Sequence, residues 1–157
     1  MRHKKVIKRQ VDADEIYNSV LVTKFINNLM RHGKKTVAQS VVYGAFDILK
    51  EKGHEPLETF EKALQNVAPK QEVIARRVGG ASYQVPQPVK AERRISLSMR
   101  WILDAAKKRP SKEHHTFKEK LATEFLAALN NEGEAVRKKD IMHKQAEANR
   151  AFTHFRF

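Results

Sequence analysis

The sequence contains no cysteine. That excludes disulfide cross-links, thiolate metal sites and cysteine nucleophiles, and it suits a reducing compartment. No apolar run approaches the ~20 residues that a membrane-spanning helix needs. The basic start Met1-Arg2-His3-Lys4-Lys5-Val6-Ile7-Lys8-Arg9 is followed by no apolar segment, so it lacks the form of a secretory signal. A soluble, intracellular protein with no membrane contact is the expectation. Acidic residues are also scarce, 18 against 31 lysines and arginines, for a net charge of +13. A compact chain this positive repels itself unless a polyanion neutralises it. The total alone does not separate RNA, DNA and acidic membrane; the placement of the cations, traced below, favours nucleic acid.

A convergent catalytic set is missing as well. His114-His115 and His143 show no ligand pattern, such as two histidines four apart with a carboxylate between them. The acids read as scattered helix-surface residues near lysine or arginine, where ordinary surface pairing accounts for them. No enzyme, metal or cofactor is expected.

What is present is a hydrophobic share of 41% over 157 residues, enough for one ordinary core in a single domain, 1–157. Residues 1–11 hold five basic side chains and no acid, and read as an arm. Helical periodicity then runs from Ser19 to about His32, with Leu21, Val22, Phe25, Ile26, Leu29 and Met30 on one arc and Gly33 placed to end it. A second helix is expected over Lys35–Lys52, with Val37, Val41, Val42, Ala45, Phe46, Ile48 and Leu49 inward. Pro56 opens a third as a preorganised first residue, and Pro69 stops it.

From Glu72 the character changes. Val73, Ile74, Val78, Tyr83 and Val85 flank Gly79-Gly80, which supply the positive φ angles of a two-residue hairpin turn. The register then pairs Val78 with Ala81, Arg76 with Tyr83 and Ile74 with Val85 at hydrogen-bonded positions. Val73 opposes Pro86 and Gln71 opposes Pro88 at non-hydrogen-bonded ones, where proline is tolerated. The segment 72–88 is thus expected to be a hairpin arm. Because a two-stranded ribbon is marginal in water, one carrying Arg76, Arg77, Tyr83 and Gln84 reads as built for an outside partner. Packing onto the helices is the plain alternative.

A long helix over Lys90–Lys108 carries Ile95, Met99, Ile102 and Ala106 inward. On its other side Arg93, Arg100 and Lys107 recur every seven residues, joined by Lys108 and Arg94. With the hairpin arginines they would form a cationic surface for a phosphate backbone. Helices over Thr116–Asn130 and Glu134–Ala148 follow. Val136, Ile141 and Met142 form no single stripe in the last, so it is expected to rely on a partner. The tail 149–157 interleaves aromatic and basic side chains, suited either to stacking on bases or to tucking its phenylalanines inward. The architecture expected is mainly α: a six-helix bundle with one protruding antiparallel β-hairpin.

Tyr17-Asn18-Ser19, Lys24-Phe25-Ile26-Asn27, Gly33-Lys34-Lys35, Arg76-Arg77-Val78-Gly79-Gly80, Tyr83-Gln84-Val85-Pro86, Arg100-Trp101 and Ala146-Glu147-Ala148-Asn149-Arg150-Ala151-Phe152 occur in one order through nearly the whole chain. Together they resemble the bacterial-type family of small-subunit ribosomal protein seven. The resemblance implies a primary binder of the 3′ major domain of 16S rRNA that nucleates assembly of the subunit head. It also implies a place in the small ribosomal subunit of the cytoplasm, near the exit-site tRNA and the mRNA exit path, beside small-subunit proteins nine and eleven. By that analogy Arg2, Lys4, Lys5, Lys8, Arg9, Lys34, Lys35, Arg76, Arg77, Arg93, Arg94, Arg100, Lys107 and Lys108 face rRNA. Gly79, Gly80, Tyr83, Gln84, Lys144 and Arg150 lie toward tRNA and mRNA. Ile74, Ala75, Pro88 and Phe155-Arg156-Phe157 depart from what is frequent in the family. The competing reading is a helical DNA-binding regulator, which would offer a helix-turn-helix and not a cationic hairpin.

Overall fold

The computed structural model describes residues 10–155. In order they form α1 (Val20–Leu29), α2 (Lys35–Glu51), α3 (Pro56–Val67), β1 (Gln71–Val78), β2 (Ala81–Pro88), α4 (Ala91–Lys108), α5 (Phe117–Leu129), α6 (Gly133–Ala148) and a 3-10 turn at Arg150–Phe155. This is the mainly α fold with an antiparallel hairpin that the periodicity predicts. The arm residues Arg2, Lys4, Lys5, Lys8 and Arg9 lie outside the described residues, as do Arg156 and Phe157. The chain divides into two compact units, one ending at Ser40 and the other beginning at Val41.

In the first unit, the buried Asp14 carboxylate accepts the backbone N–H groups of Ile16 (3.2 Å) and Tyr17 (3.1 Å), folding a turn ahead of α1. Helix α1 buries Val22, Phe25 and Ile26 and leaves Lys24, Asn27 and Asn28 exposed, as its period requires. It ends at Leu29, earlier than the expected His32, because Met30 turns to ψ 135°. His32 and Gly33 then take positive φ angles of 52° and 73° in the link, so Gly33 serves the link and not the helix end.

Helix α2 corrects the expected inward set at one position. Val37 is 57% exposed, while Ala38, Val42, Ala45, Phe46 and Leu49 are buried. Ala38, Val42, Ala45 and Leu49 are spaced by four, three and four residues, one continuous stripe, and Val37 falls a 100° step to its side.

In the second unit, Phe46, Phe60 and Phe125 meet with ring centroids 5.6–6.2 Å apart and are fully buried. Tilted and edge-on pairs of this kind add to what area burial already contributes. Pro56 is at the first turn of α3, where the missing N–H costs nothing. Ala68 and Arg109, each followed by proline, leave the helical region as C-caps of α3 and α4. Asn66 joins α3 to α5 by donating its side-chain amide to Ala128 O and Leu129 O, both at 3.0 Å.

The reading of the acids as surface residues is overturned here. Glu124 is 1% exposed and Glu72 4% exposed. Glu124 accepts from Arg109 (Nη2 at 2.7 Å, Nε at 2.8 Å) and from the Ala135 N–H at 3.4 Å. One carboxylate therefore ties the end of α4 to α5 and to the start of α6, its charge met by a guanidinium fork. Gly133, at φ 91°, makes the approach possible: a Cβ there would lie 3.0 Å from Glu124 Oε1 and 3.2 Å from Ala127 Cβ.

The hairpin has the predicted register: Gln71 pairs with Pro88, Val73 with Pro86, Ile74 with Val85, Arg76 with Tyr83 and Val78 with Ala81. The Val89 N–H donates to Lys70 O at 3.1 Å, which fixes the parity and puts both prolines where no N–H is required. Gly79 and Gly80 have φ of 59° and 89°, the two positive values of a type I′ turn.

Candidate nucleic-acid interface

Strand alternation decides which hairpin side chains work together. Arg76 lies across from Tyr83 on one face, with Ile74, Val85, Val78 and Ala81. Arg77 belongs to the other face with Ser82, Ala75 and Gln84. The two arginines, adjacent in sequence, therefore point to opposite sides of the ribbon. Arg76 is half-buried; Arg77, Gln84, Gly79 and Gly80 are exposed. A single phosphate path along one face meets one arginine, and a path around the tip meets both.

The root of the ribbon is held by its neighbours. Glu72 accepts from Arg93 Nε through both carboxylate oxygens, at 2.8 and 2.7 Å. Lys70 donates its backbone N–H to His143 Nε2 of α6 at 2.9 Å. Burial first, then the Lys139 and Lys70 cations, hold the His143 pKa below its ordinary value, against Asp140, which raises it. The neutral ring with its proton on Nδ1 fits that acceptor role. Val85, Pro86 and the following Val89 are buried. A cleft of about 490 Å³ opens beside the root, lined by Lys70, Gln71, Pro86, Gln87, Pro88, His143, Ala146, Glu147, Arg150 and Thr153.

On α4 the expected cationic stripe is present but not uniform. Arg100, Lys107 and Lys108 are exposed and have no ion-pair partner among the described residues. Arg93 belongs to Glu72, although its side chain remains 57% exposed. Arg94 is half-buried, with Nε lacking a hydrogen-bond partner. Lys107 and Lys108 also lie in the last helical turn, where the helix dipole favours them without any ligand. Other cations serve internal structure: Lys138 pairs with Asp104 at 3.2 Å, Lys139 donates to Asn66 O at 2.9 Å, and Lys120 to Arg109 O at 2.9 Å. Of the cations expected on the hairpin and α4, Arg77 and Arg100 are exposed with neither an ion-pair partner among the described residues nor a place in the last helical turn.

In the first unit Lys34 and Lys35 are exposed at the start of α2. Two lysines add like charge to the positive helix end, an arrangement that an anion would relieve. Lys144 and Arg150 are exposed on and just beyond α6.

The tail does not tuck its phenylalanines into the core. Phe152 and Phe155 are half-buried, not in the core but on the hairpin, with centroids 5.3 and 5.0 Å from the Tyr83 ring. Sequence reasoning missed this clasp, since nothing local records a contact across some seventy residues. It missed the Glu124–Arg109 pair too, though a signal existed: position 124 lies three after Leu121 and four before Ala128, on the inward stripe. Among the described residues no three His, Asp or Glu side chains gather as a metal site, and no helix is long and apolar enough to cross a membrane.

Comparison with known proteins supplies a lineage for this arrangement. A family described as "Ribosomal protein S7p/S5e" matches residues 1–150. A "Small ribosomal subunit protein uS7" from Thermotoga neapolitana is 53% identical over 158 residues, covering 100% of each chain. Proteins of the same name are 50% identical in Syntrophus aciditrophicus, over 99% of each chain, and 54% identical in Caldanaerobacter subterraneus, over 97% of this chain and 96% of the relative.

Proposed function

The chain belongs to the ribosomal protein S7p/S5e family, and from that premise we propose that it is a primary binder of the 3′ major domain of 16S rRNA that nucleates assembly of the subunit head. At the coarser level it is a structural, non-enzymatic protein of the small ribosomal subunit that binds rRNA. The observation that supports grip on a phosphate backbone is the unpaired charge: Arg77 on the open face of the ribbon, and Arg100 with Lys107 and Lys108 on α4, are exposed without ion-pair partners among the described residues. Such cations neutralise phosphates and release their counterions on binding.

Not all the expected contacts carry equal weight. Arg93 orients the ribbon through Glu72 before it can meet RNA, and Arg94 is half-buried. Lys34 and Lys35 contribute at the positive end of α2. The turn Gly79-Gly80, Gln84, Lys144 and Arg150 are assigned to the tRNA and mRNA side, near the exit site and the mRNA exit path. Tyr83 belongs to the same ribbon, but its ring already engages two phenyl rings. Small-subunit proteins nine and eleven are the proposed protein neighbours. Chemical footprinting of 16S rRNA with the purified protein tests the reading. Protection confined to a multi-helix junction of the 3′ major domain is expected. Protection elsewhere on 16S rRNA would overturn the assignment to that domain, and equal affinity for random duplex DNA at physiological salt would favour the DNA-regulator alternative.

A further inference from the structure

A two-stranded ribbon has no third strand to hold it, and the one here has only Glu72 and Pro86 buried near its root and Val85 at its middle. Beyond the root, the nearest support the structure provides is the C-terminal turn. That turn packs on β2 and on α6. Its backbone is closed by local hydrogen bonds: Phe152 N–H to Asn149 O at 3.0 Å, Thr153 Oγ1 to Arg150 O at 2.6 Å, and His154 Nδ1 to Ala151 O at 2.8 Å. None of its residues is fully buried, so little apolar burial fixes it beyond its two phenyl rings. Phe152 and Phe155 are nearly parallel, 16° between planes and 6.4 Å between centroids, and both contact Tyr83. Tyr83 in turn stands opposite Arg76 in the ladder.

We infer that the C-terminal turn is a strap: Phe152 and Phe155 clasp Tyr83 and hold the hairpin in the orientation in which its arginines meet RNA. Tyr83 is then a positioning residue, and its ring stacks on its own chain rather than on a base. Affinity gains from the strap because the ribbon's freedom is lost at folding and not at binding. The inference rests on the proposed rRNA contact of the hairpin, and its test separates the two.

Hydrogen exchange of the free full-length protein and its affinity for a 3′ major domain fragment are compared for wild type, Phe152→Ala/Phe155→Ala and the ring-keeping Phe152→Tyr/Phe155→Tyr. The alanine pair is expected to speed exchange of the inter-strand amides between Arg76 and Gln84 by about tenfold with the α3–α5 amides unchanged, and to weaken RNA binding about fivefold. The tyrosine pair should restore both. Unchanged exchange with weakened binding would overturn the strap and make the phenylalanines direct RNA contacts. Faster exchange with unchanged affinity would overturn it also, while a loss of affinity in Arg76→Ala/Arg77→Ala would leave the hairpin reading standing. Should that arginine variant bind as wild type does, the hairpin reading itself falls.

Discussion

Phe46, Phe60 and Phe125 fix the helical interior by mutual ring contact and complete burial, and Glu124 pins three elements around it with its charge matched by Arg109. The ribbon has no ring cluster that is fully buried, and few of its residues are buried at all. Its root is held by Glu72 and Arg93 and by the Lys70–His143 hydrogen bond, its middle by a clasp of half-buried rings, and its tip by two glycines alone. The proposed function thus places binding in a different region from stability. A change in the interior is expected to cost the fold, whereas changes at the exposed Arg77 and the half-buried Arg76 are expected to cost it little. The charges divide the same way: Arg109, Lys120, Lys138 and Lys139 serve the interior, and Arg77 and Arg100 serve none of it.

The division makes graded predictions. Phe125→Ala opens a cavity among three rings and should cost about 3–5 kcal/mol in urea unfolding; a cost under about 1 kcal/mol would deny the interior its role. Glu124→Ala leaves the Arg109 guanidinium largely enclosed without its counter-charge and should cost about 3 kcal/mol, with Glu124→Gln milder because an amide oxygen still accepts. Equal losses for Ala and Gln would show that the carboxylate's charge, and not its shape or acceptor oxygen, makes the tie. Arg76→Ala/Arg77→Ala should change stability by less than about 0.5 kcal/mol and weaken rRNA binding about tenfold or more, at about 1.4 kcal/mol per decade. Of the single variants, Arg77→Ala should lose more, because Arg77 is exposed on the open face and Arg76 is half-buried beside the clasp. Equal losses would point to a path around the tip.

The smallest effect concerns pH. The folded pKa of His143 is depressed below its ordinary value of 6.5. The stability it contributes is therefore fully present above the unfolded pKa and is lost as pH falls through the folded one. Protonation also removes the acceptor of the Lys70 N–H. A urea midpoint that declines below pH 6.5 in wild type, and declines less in His143→Gln, is expected; identical profiles would remove His143 from the root of the ribbon.

Elements with short-range signals were legible in the sequence. The prolines marked the ends of α3 and α4, and Gly79-Gly80 set a register that the structure reproduces pair for pair. Helical period found only part of the buried faces: it placed Val37 inward because valine's apolarity outweighed its angle on the wheel, and on α4 it left out Leu97, Trp101 and Leu103, which are buried. Long-range pairings were not legible. Glu72 and Arg93 are separated by a whole strand and turn, and Tyr83 meets Phe152 and Phe155 only after three helices have folded back. Charge spacing on α4 identified the stripe but could not tell Arg93, which has a carboxylate, from Arg100, which has none. The arm that charge marks at 1–11 falls largely on residues outside those described.

The salt dependence of binding to a 3′ major domain fragment tests most directly whether unpaired cations on ribbon and helix grip RNA. If about six to ten phosphates are neutralised, log K should fall against log salt with a slope of about −5 to −9, and Arg77→Ala/Arg100→Ala should reduce it by about two. A slope near zero, or one that the double variant leaves unchanged, would contradict the account.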